Sequence, residues 1–182
     1  MAGQLAPARR DFQIGHFAGL DLSVMPSALW SMAAVWLGAG LITFWLLHLG
    51  WGWALLGGLL AAAIHWLSDF AHQYGHAIAA RRAGFPMTGL RFWGIFSTSL
   101  WPADEPALPG RIHIRRALGG PVASILIGVA ALSVAWLIGP GGAMLWWLAI
   151  FAAADNLLLL GFGAFLPLGF TDGSTILHWW KR

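Results

Sequence analysis

Two histidines four residues apart, His72 and His76, lie in the segment "SDFAHQYGHAIAARRAG" (68–84). Imidazoles at positions i and i+4 share one face of a helix and can bind one metal ion together. His65 and Asp69 fall on that same face, within an arc of roughly 60° at about 100° per residue. Ionisable groups inside an apolar span are costly and usually have a function. We therefore predict a metal site, and the alternative is a polar seam that hydrogen-bonds to neighbouring helices.

A zinc site needs at least one more protein ligand, because zinc usually has three protein ligands plus water, or four protein ligands. Asp172 in "FLPLGFTDGSTI" is a candidate. Helix-breaking residues precede it at Gly161, Gly163 and Pro167. Irregular backbone at membrane depth is tolerated where it lines a polar cavity. An Asp-Gly pair alone is typical of a turn, but beside the histidine pair it makes Asp172 a candidate third ligand of Zn²⁺.

Position 73 decides what chemistry such a site performs. The zinc-protease helix motif is H-E-x-x-H, and this sequence has Gln73 where that motif has Glu. An amide can hydrogen-bond a water molecule but cannot take its proton near neutral pH. General acid–base assistance is worth about 10²–10⁴ in rate. We expect the site to bind metal and peptide, and to cleave slowly or not at all.

The composition is that of an integral membrane protein. Of the 182 residues, 59% are hydrophobic and 9% are charged, and 13 are Trp, whereas soluble domains have about 25% charged residues. The absence of Cys excludes disulfides and thiolate metal sites. The sequence pI is near 10.6, but the basic residues flank apolar segments. We therefore predict the lipid bilayer as a partner and exclude nucleic acid.

Four apolar segments are long enough to cross a bilayer, which takes about 20 residues. They are 28–49, 53–80, 117–138 and 143–160. All ten basic residues occupy one set of flanks: Arg9, Arg10, Arg81, Arg82, Arg91, Arg111, Arg115, Arg116, Lys181 and Arg182. Because positive charge marks the cytoplasmic side, we expect both termini and the 84–116 loop to be cytoplasmic, in a plasma or inner membrane.

Two further segments favour β-structure. Residues 12–24 alternate in polarity around glycines and predict a hairpin at the membrane surface, and residues 84–116 predict strands followed by a proline-rich turn. Unpaired strand edges are not tolerated in lipid, so these strands must pair or rest on protein. The predicted fold is an all-α integral membrane protein, one domain over 1–182, with a surface β-hairpin and a β/loop insertion.

Four fragments, taken in order, resemble the site-2 proteases, a family of membrane-embedded zinc metalloproteases. They are "IGHFAGLDLSVMPSALW" (14–30), "AHQYGHAIAARRAG" (71–84), "LGGPVASILIG" (118–128) and "LPLGFTDGSTI" (166–176). The resemblance implies that His72, His76 and Asp172 bind zinc and that Gln73 stands at the general-base position. It also implies single transmembrane helices as substrates.

The sequence departs from the family pattern at three positions. Gln73 replaces the Glu, Ala164 stands where an Asn helps to hold the substrate, and Ser124 follows the Gly-Pro motif where Asn is common. By resemblance, the substrate-positioning set is Gly120, Pro121, Ser124, Ala164 and Pro167. Three departures favour natural divergence over the engineered replacement of a single Glu.

Other polar residues have roles that stay open. Asp69 is expected to orient a ligand imidazole or to serve, with His65, as a second-shell group or alternative base. Asp155 and Asn156 lie inside the fourth span, as a functional pair or as bridges between helices. Glu105 is expected to be solvated in its proline-rich loop.

Three functions remain open on this sequence. The first is an intramembrane zinc protease with an altered base, and the second is a pseudoprotease that binds zinc and membrane helices without cutting them. The third is a metal sensor or transporter, ranked last because four spans without an internal repeat suit a transporter poorly. The first two predict transmembrane segments of other proteins as partners.

Overall fold

The computed structural model describes residues 11–180. The elements are β1 (Phe12–Phe17), β2 (Leu20–Val24), α1 (Pro26–Leu47), α2 (Trp51–Arg82), β3 (Gly89–Trp93), β4 (Phe96–Leu100), α3 (Gly110–Ile138), α4 (Ala143–Ala154) and α5 (Asp172–Trp180). Short 3₁₀ and π-helical turns flank α4.

Four helical segments are long and apolar enough to cross a membrane: Pro26–Leu47, Trp51–Arg82, Gly110–Ile138 and Pro140–Phe165. They confirm the four predicted spans. Helix α3 begins at Gly110, before the predicted start of the third span near Ala117. Its first two turns carry arginines and a histidine, so apolarity alone did not reveal them. Pro121 consequently lies inside α3 and does not open it.

The fourth segment changes its helical form before it ends. The α-helix stops at Ala154, Asp155–Phe162 is π-helical, and Gly163–Phe165 is a 3₁₀ turn. Glycine is needed at positions 161 and 163 of this stretch, because a Cβ on either residue would come within 2.6 Å of the carbonyl oxygen five residues earlier. The predicted irregular backbone before Pro167 is therefore present. π-helical turns are rare and often occur at functional sites.

The four strands form one sheet in the order β1-β2-β3-β4. The outer pairs are antiparallel, and β2 pairs with β3 in parallel, with Asp21 opposite Gly89 and Val24 opposite Phe92. Gly89 is required there, since a Cβ would lie 2.5 Å from the Asp21 carbonyl oxygen. The predicted surface hairpin and the predicted loop strands are thus parts of a single sheet, and β4 is an edge strand.

Helix α2 is central, and it packs against α1, α3, the fourth segment and β4. Its C-terminal half meets the sheet through a small apolar core of Leu20, Ala77, Ala80, Met87 and Leu90. Large apolar side chains such as Trp30, Trp136 and Leu137 are exposed, as expected for surface that faces lipid.

Candidate metal centre

His72, His76 and Asp172 converge at one point between α2 and the start of α5. Among residues 11–180, these are the His and acidic side chains whose ligand atoms all lie within 4.8 Å of one another. The two Nε2 atoms are 3.0 Å apart. Nε2 of His72 lies 3.3 Å from Asp172 Oδ2, and Nε2 of His76 lies 3.3 Å from Asp172 Oδ1. The structure thus brings the three predicted ligands together.

The spacing of these atoms fits zinc. Zn–N and Zn–O bonds of about 2.0–2.2 Å in a tetrahedron place neighbouring ligand atoms about 3.3–3.6 Å apart. The two Nε2 atoms are 3.0 Å apart, and each lies 3.3 Å from a different oxygen of Asp172, so the separations are close to that range. Two imidazole nitrogens and one carboxylate are a common catalytic-type zinc set, with a fourth position open.

Each imidazole is oriented by a partner on α3. His76 Nδ1 lies 2.8 Å from the Arg116 carbonyl oxygen, which can only accept, so Nδ1 donates there and Nε2 faces His72 and Asp172. His72 Nδ1 lies 3.0 Å from the Ser124 hydroxyl, which can accept in the same way. With Nδ1 engaged by α3, each ring turns its Nε2 towards Asp172, which is the arrangement in which two imidazoles and a carboxylate could bind one metal ion.

The expectation that Asp69 orients an imidazole was wrong. Asp69 lies beside Ser97 of β4, and the Nδ1 atoms of His72 and His76 bond to Ser124 and to the Arg116 carbonyl instead. The cause is the close crossing of α2 and α3, which places α3 groups nearer to the rings. Ser124 therefore contacts a candidate ligand, a role that the sequence analysis did not give it.

Glycines on both helices make that crossing possible. A Cβ on Gly75 would overlap the backbone of Gly119, and the reverse is also true, as in membrane helices that approach through small residues. A Cβ on Gly120 would overlap the Nε2 atoms of both His72 and His76. Gly120 thus leaves open the space beside the candidate ligand atoms, while Pro121 is fully buried next to it.

Asp172 is the first residue of α5, an element that the sequence analysis did not predict. Gly173 packs directly on the Phe165 backbone, where a Cβ would overlap it. The Asp-Gly pair is therefore a helix start, and not a turn. Burial raises the pKa of Asp172, but its contacts with His72 and His76 lower it by more, so the pKa lies below its ordinary value. The group is a carboxylate near neutral pH.

Gln73 contacts β4. Its Nε2 donates to the Ser97 carbonyl oxygen at 2.9 Å, and its Oε1 accepts from the Ser99 hydroxyl at 2.8 Å. The side chain is buried. Neither serine was predicted as a partner of Gln73. The alternating serines of "FSTSL" (96–100) were the available signal, because they place polar groups on one face of a strand.

The remaining intramembrane polar groups connect elements. His65 is bonded on both sides, with Nδ1 2.8 Å from Asp155 Oδ1 and Nε2 2.7 Å from the Ile95 carbonyl oxygen. Asn156 donates to the Ser68 hydroxyl at 2.7 Å. Asp155 and Asn156 are therefore bridges from the fourth segment to α2, the second of the two roles considered for them.

The remaining predicted positions lie in the loop before α3 and after the π-helical stretch. Glu105 is not solvated as expected, because it accepts from Arg116 at 2.9 Å, and the Arg116 guanidinium also lies over Trp101. Ala164 is buried in the 3₁₀ turn and Pro167 is exposed beyond it. The substrate-positioning roles of Gly120, Pro121, Ser124, Ala164 and Pro167 stay predictions.

The chain is similar to known proteins in sequence and in fold. No family model matches the chain. Rip3 of Mycobacterium tuberculosis, which is named as a zinc metalloprotease, is 29% identical over 188 aligned positions in each of two strains, covering 93% of this chain and 44% of the relative. The chain thus spans less than half the length of the curated relatives it matches.

A solved structure shares the architecture. The site-2 protease from Methanocaldococcus jannaschii superposes with a TM-score of 0.64 at 16% identity, over 92% of this chain and 69% of that one. The fold is therefore that of the site-2 proteases, integral membrane proteins with a core of apolar helices. The chain is thus similar in sequence to a protein named as a zinc metalloprotease and in fold to a site-2 protease.

Proposed function

We propose that this site-2-protease-like chain binds one Zn²⁺ through His72, His76 and Asp172 and recognises transmembrane helices of other proteins, with impaired cleavage. The observation that carries the proposal is the convergence of two imidazole nitrogens, 3.0 Å apart, on one carboxylate, each nitrogen lying 3.3 Å from one of its oxygens. A zinc ion held there would act as a Lewis acid and lower the pKa of a bound water towards about 7.

Position 73 supports the impairment. A general base must accept a proton, and the Gln73 amide has no basic lone pair near neutral pH. One amide N–H and one lone pair are already engaged by Ser97 and Ser99. Loss of general base assistance alone would slow cleavage by about 10²–10⁴. The protein would then hold a metal and a partner helix with little turnover.

A transmembrane orientation is part of the proposal. The described basic residues Arg81, Arg82, Arg111 and Arg115 are exposed where α2 ends and α3 begins, which supports a cytoplasmic location for that end. Arg9, Arg10, Lys181 and Arg182 lie outside the described residues. Because the chain has no Cys, single cysteines can test it. Arg82→Cys should be protected from impermeant thiol reagents in intact cells, and Gly141→Cys should react.

Elemental analysis of the purified protein tests the metal proposal. The wild type should retain about one zinc per chain, and His72→Ala should lose it because zinc sites need at least three protein ligands. His16→Ala is the matched control, since His16 is exposed on β1 and should leave the zinc content unchanged. A wild type that stays empty when zinc is offered at neutral pH would overturn the proposal.

A further inference from the structure

Gln73 lies between the two candidate histidine ligands in sequence, and it bonds to β4 in space. Its amide nitrogen donates to the Ser97 carbonyl and its amide oxygen accepts from the Ser99 hydroxyl. Gln73 and Ser97 are both buried. The two ends of one amide thus hold two residues of the same strand.

The strand that Gln73 holds lies at an edge of the sheet. Within residues 11–180, β4 pairs with β3 on one side and with no strand on the other. Unpaired backbone groups are poorly tolerated away from water. Helix α2 covers this edge with side-chain donors: His65 reaches the Ile95 carbonyl before β4, and Gln73 reaches the Ser97 carbonyl within it.

The amide is the chemical feature that allows this pair of bonds. An ionised Glu has acceptor oxygens only, so it could accept from the Ser99 hydroxyl but could not donate to the Ser97 carbonyl. A carboxylate oxygen would then face a carbonyl oxygen in a buried site, and the carbonyl would lose its partner. The residue of the H-E-x-x-H motif therefore cannot make the contact that Gln73 makes.

We propose that Gln73 is a positioning residue that clamps the edge strand β4 against the metal-binding turns of α2. Gln73 cannot accept a proton from a metal-bound water, but it holds β4 in place beside the site. This inference deepens the proposed function, and its consequence for cleavage rests on that function. Replacing Gln73 by Glu would then do two things at once: it would supply a base and release β4.

Hydrogen exchange of the full chain in lipid nanodiscs tests the clamp without metal or substrate. Gln73→Met keeps the shape and removes both bonds, Gln73→Glu removes the donor, and Ser99→Ala removes one partner. Exchange of the β3–β4 amides should rise about 10-fold in the two Gln73 variants and less in Ser99→Ala, as expected for the loss of one or two buried hydrogen bonds. Thr98→Ala, an exposed position on the same strand, should leave exchange unchanged.

A double-mutant cycle separates a clamp from general loosening. Ser99→Ala should add nothing to Gln73→Met, because both act on the same contact, whereas it should speed exchange further in Gln73→Glu, which keeps the Ser99 bond. Additive effects in the Gln73→Met background would overturn the proposal, as would unchanged β3–β4 exchange in Gln73→Met. If the Gln73 variants fail to fold, Ser99→Ala against Thr98→Ala decides, and equal exchange in those two would overturn it.

Hydrogen exchange and elemental analysis of the same protein keep the two proposals apart. A chain that binds no zinc but shows Gln73-dependent protection of β4 would contradict the proposed function and leave the clamp standing. A chain that holds zinc but exchanges β4 equally in the wild type and in Gln73→Met would do the opposite.

Discussion

Two histidine environments on one helix show how partners, and not residue type, separate a candidate metal ligand from a structural bridge. His65 has both ring nitrogens bonded to acceptors, the Asp155 carboxylate and the Ile95 carbonyl. His72 and His76 each have one nitrogen bonded to α3, and their other nitrogens point at each other and at Asp172. Only the second arrangement gathers two imidazole nitrogens and a carboxylate at one point, where a single metal ion could bind all three groups.

The largest expected effect sets the two environments directly against each other. His76→Ala should lower zinc affinity by more than about 100-fold, beyond the 10–100-fold typical of losing an outer-shell partner. His65→Ala should leave the affinity unchanged, because His65 has no free nitrogen. Competition with a chromophoric zinc chelator measures both. Equal losses of zinc affinity in the two variants would contradict the distinction between His76 as a metal ligand and His65 as a bridge.

Gln73→Glu tests the missing proton acceptor of the candidate metal site. With a proton acceptor restored, cleavage of transmembrane-helix substrates near neutral pH should rise by about 10²-fold or more. Gln73→Met also releases β4 but supplies no base, so it should show no gain and is the matched control. If the wild type already cuts briskly and the Glu variant is no faster, another residue is the base.

Asp155→Ala should cost stability and spare the metal. It leaves the buried His65 Nδ1 without its partner, which we expect to lower the free energy of unfolding by about 1–3 kcal/mol. Thermal unfolding in detergent measures the loss, and zinc content should stay at the wild-type level. Zinc loss with unchanged unfolding would mean that Asp155 acts on the metal and not as a bridge.

Ser124→Ala should weaken zinc binding less than the loss of a ligand histidine. The His72 ring would keep its position on α2 but lose the hydroxyl at Nδ1, and such outer-shell losses cost about 10–100-fold in affinity. Ser133→Ala is a suitable control, since Ser133 is on the same helix and its hydroxyl donates to the Val129 carbonyl oxygen within that helix. An affinity equal to that of the control would remove Ser124 from the site.

The features that were predictable from sequence are those that depend on composition and helical period. Apolar length gave the four spans, and the i, i+4 spacing gave His72 and His76 on one face. Asp172 was found only by combining a helix-breaking segment with a ligand shortage and a family resemblance.

The features that were not predictable depend on how distant elements pack. The α3 carbonyl at Arg116 reaches His76 only because Gly75 and Gly119 let two backbones meet. The parallel pairing of β2 with β3 joins segments more than 60 residues apart in the sequence. The sheet places Ser97 and Ser99 beside Gln73, and both bonds of Gln73 to β4 depend on that placement. From the sequence alone, Gln73 could be interpreted only as the absence of a general base.

Zinc K-edge X-ray absorption on the purified wild type would show which side chains bind the metal. We expect two imidazole nitrogens and oxygen ligands at about 2.0–2.2 Å, with one imidazole lost in a metal-reloaded His72→Ala sample and none lost in His65→Ala. A wild-type spectrum with fewer than two imidazoles, or one that changes with His65 and not with His72, would contradict this expectation.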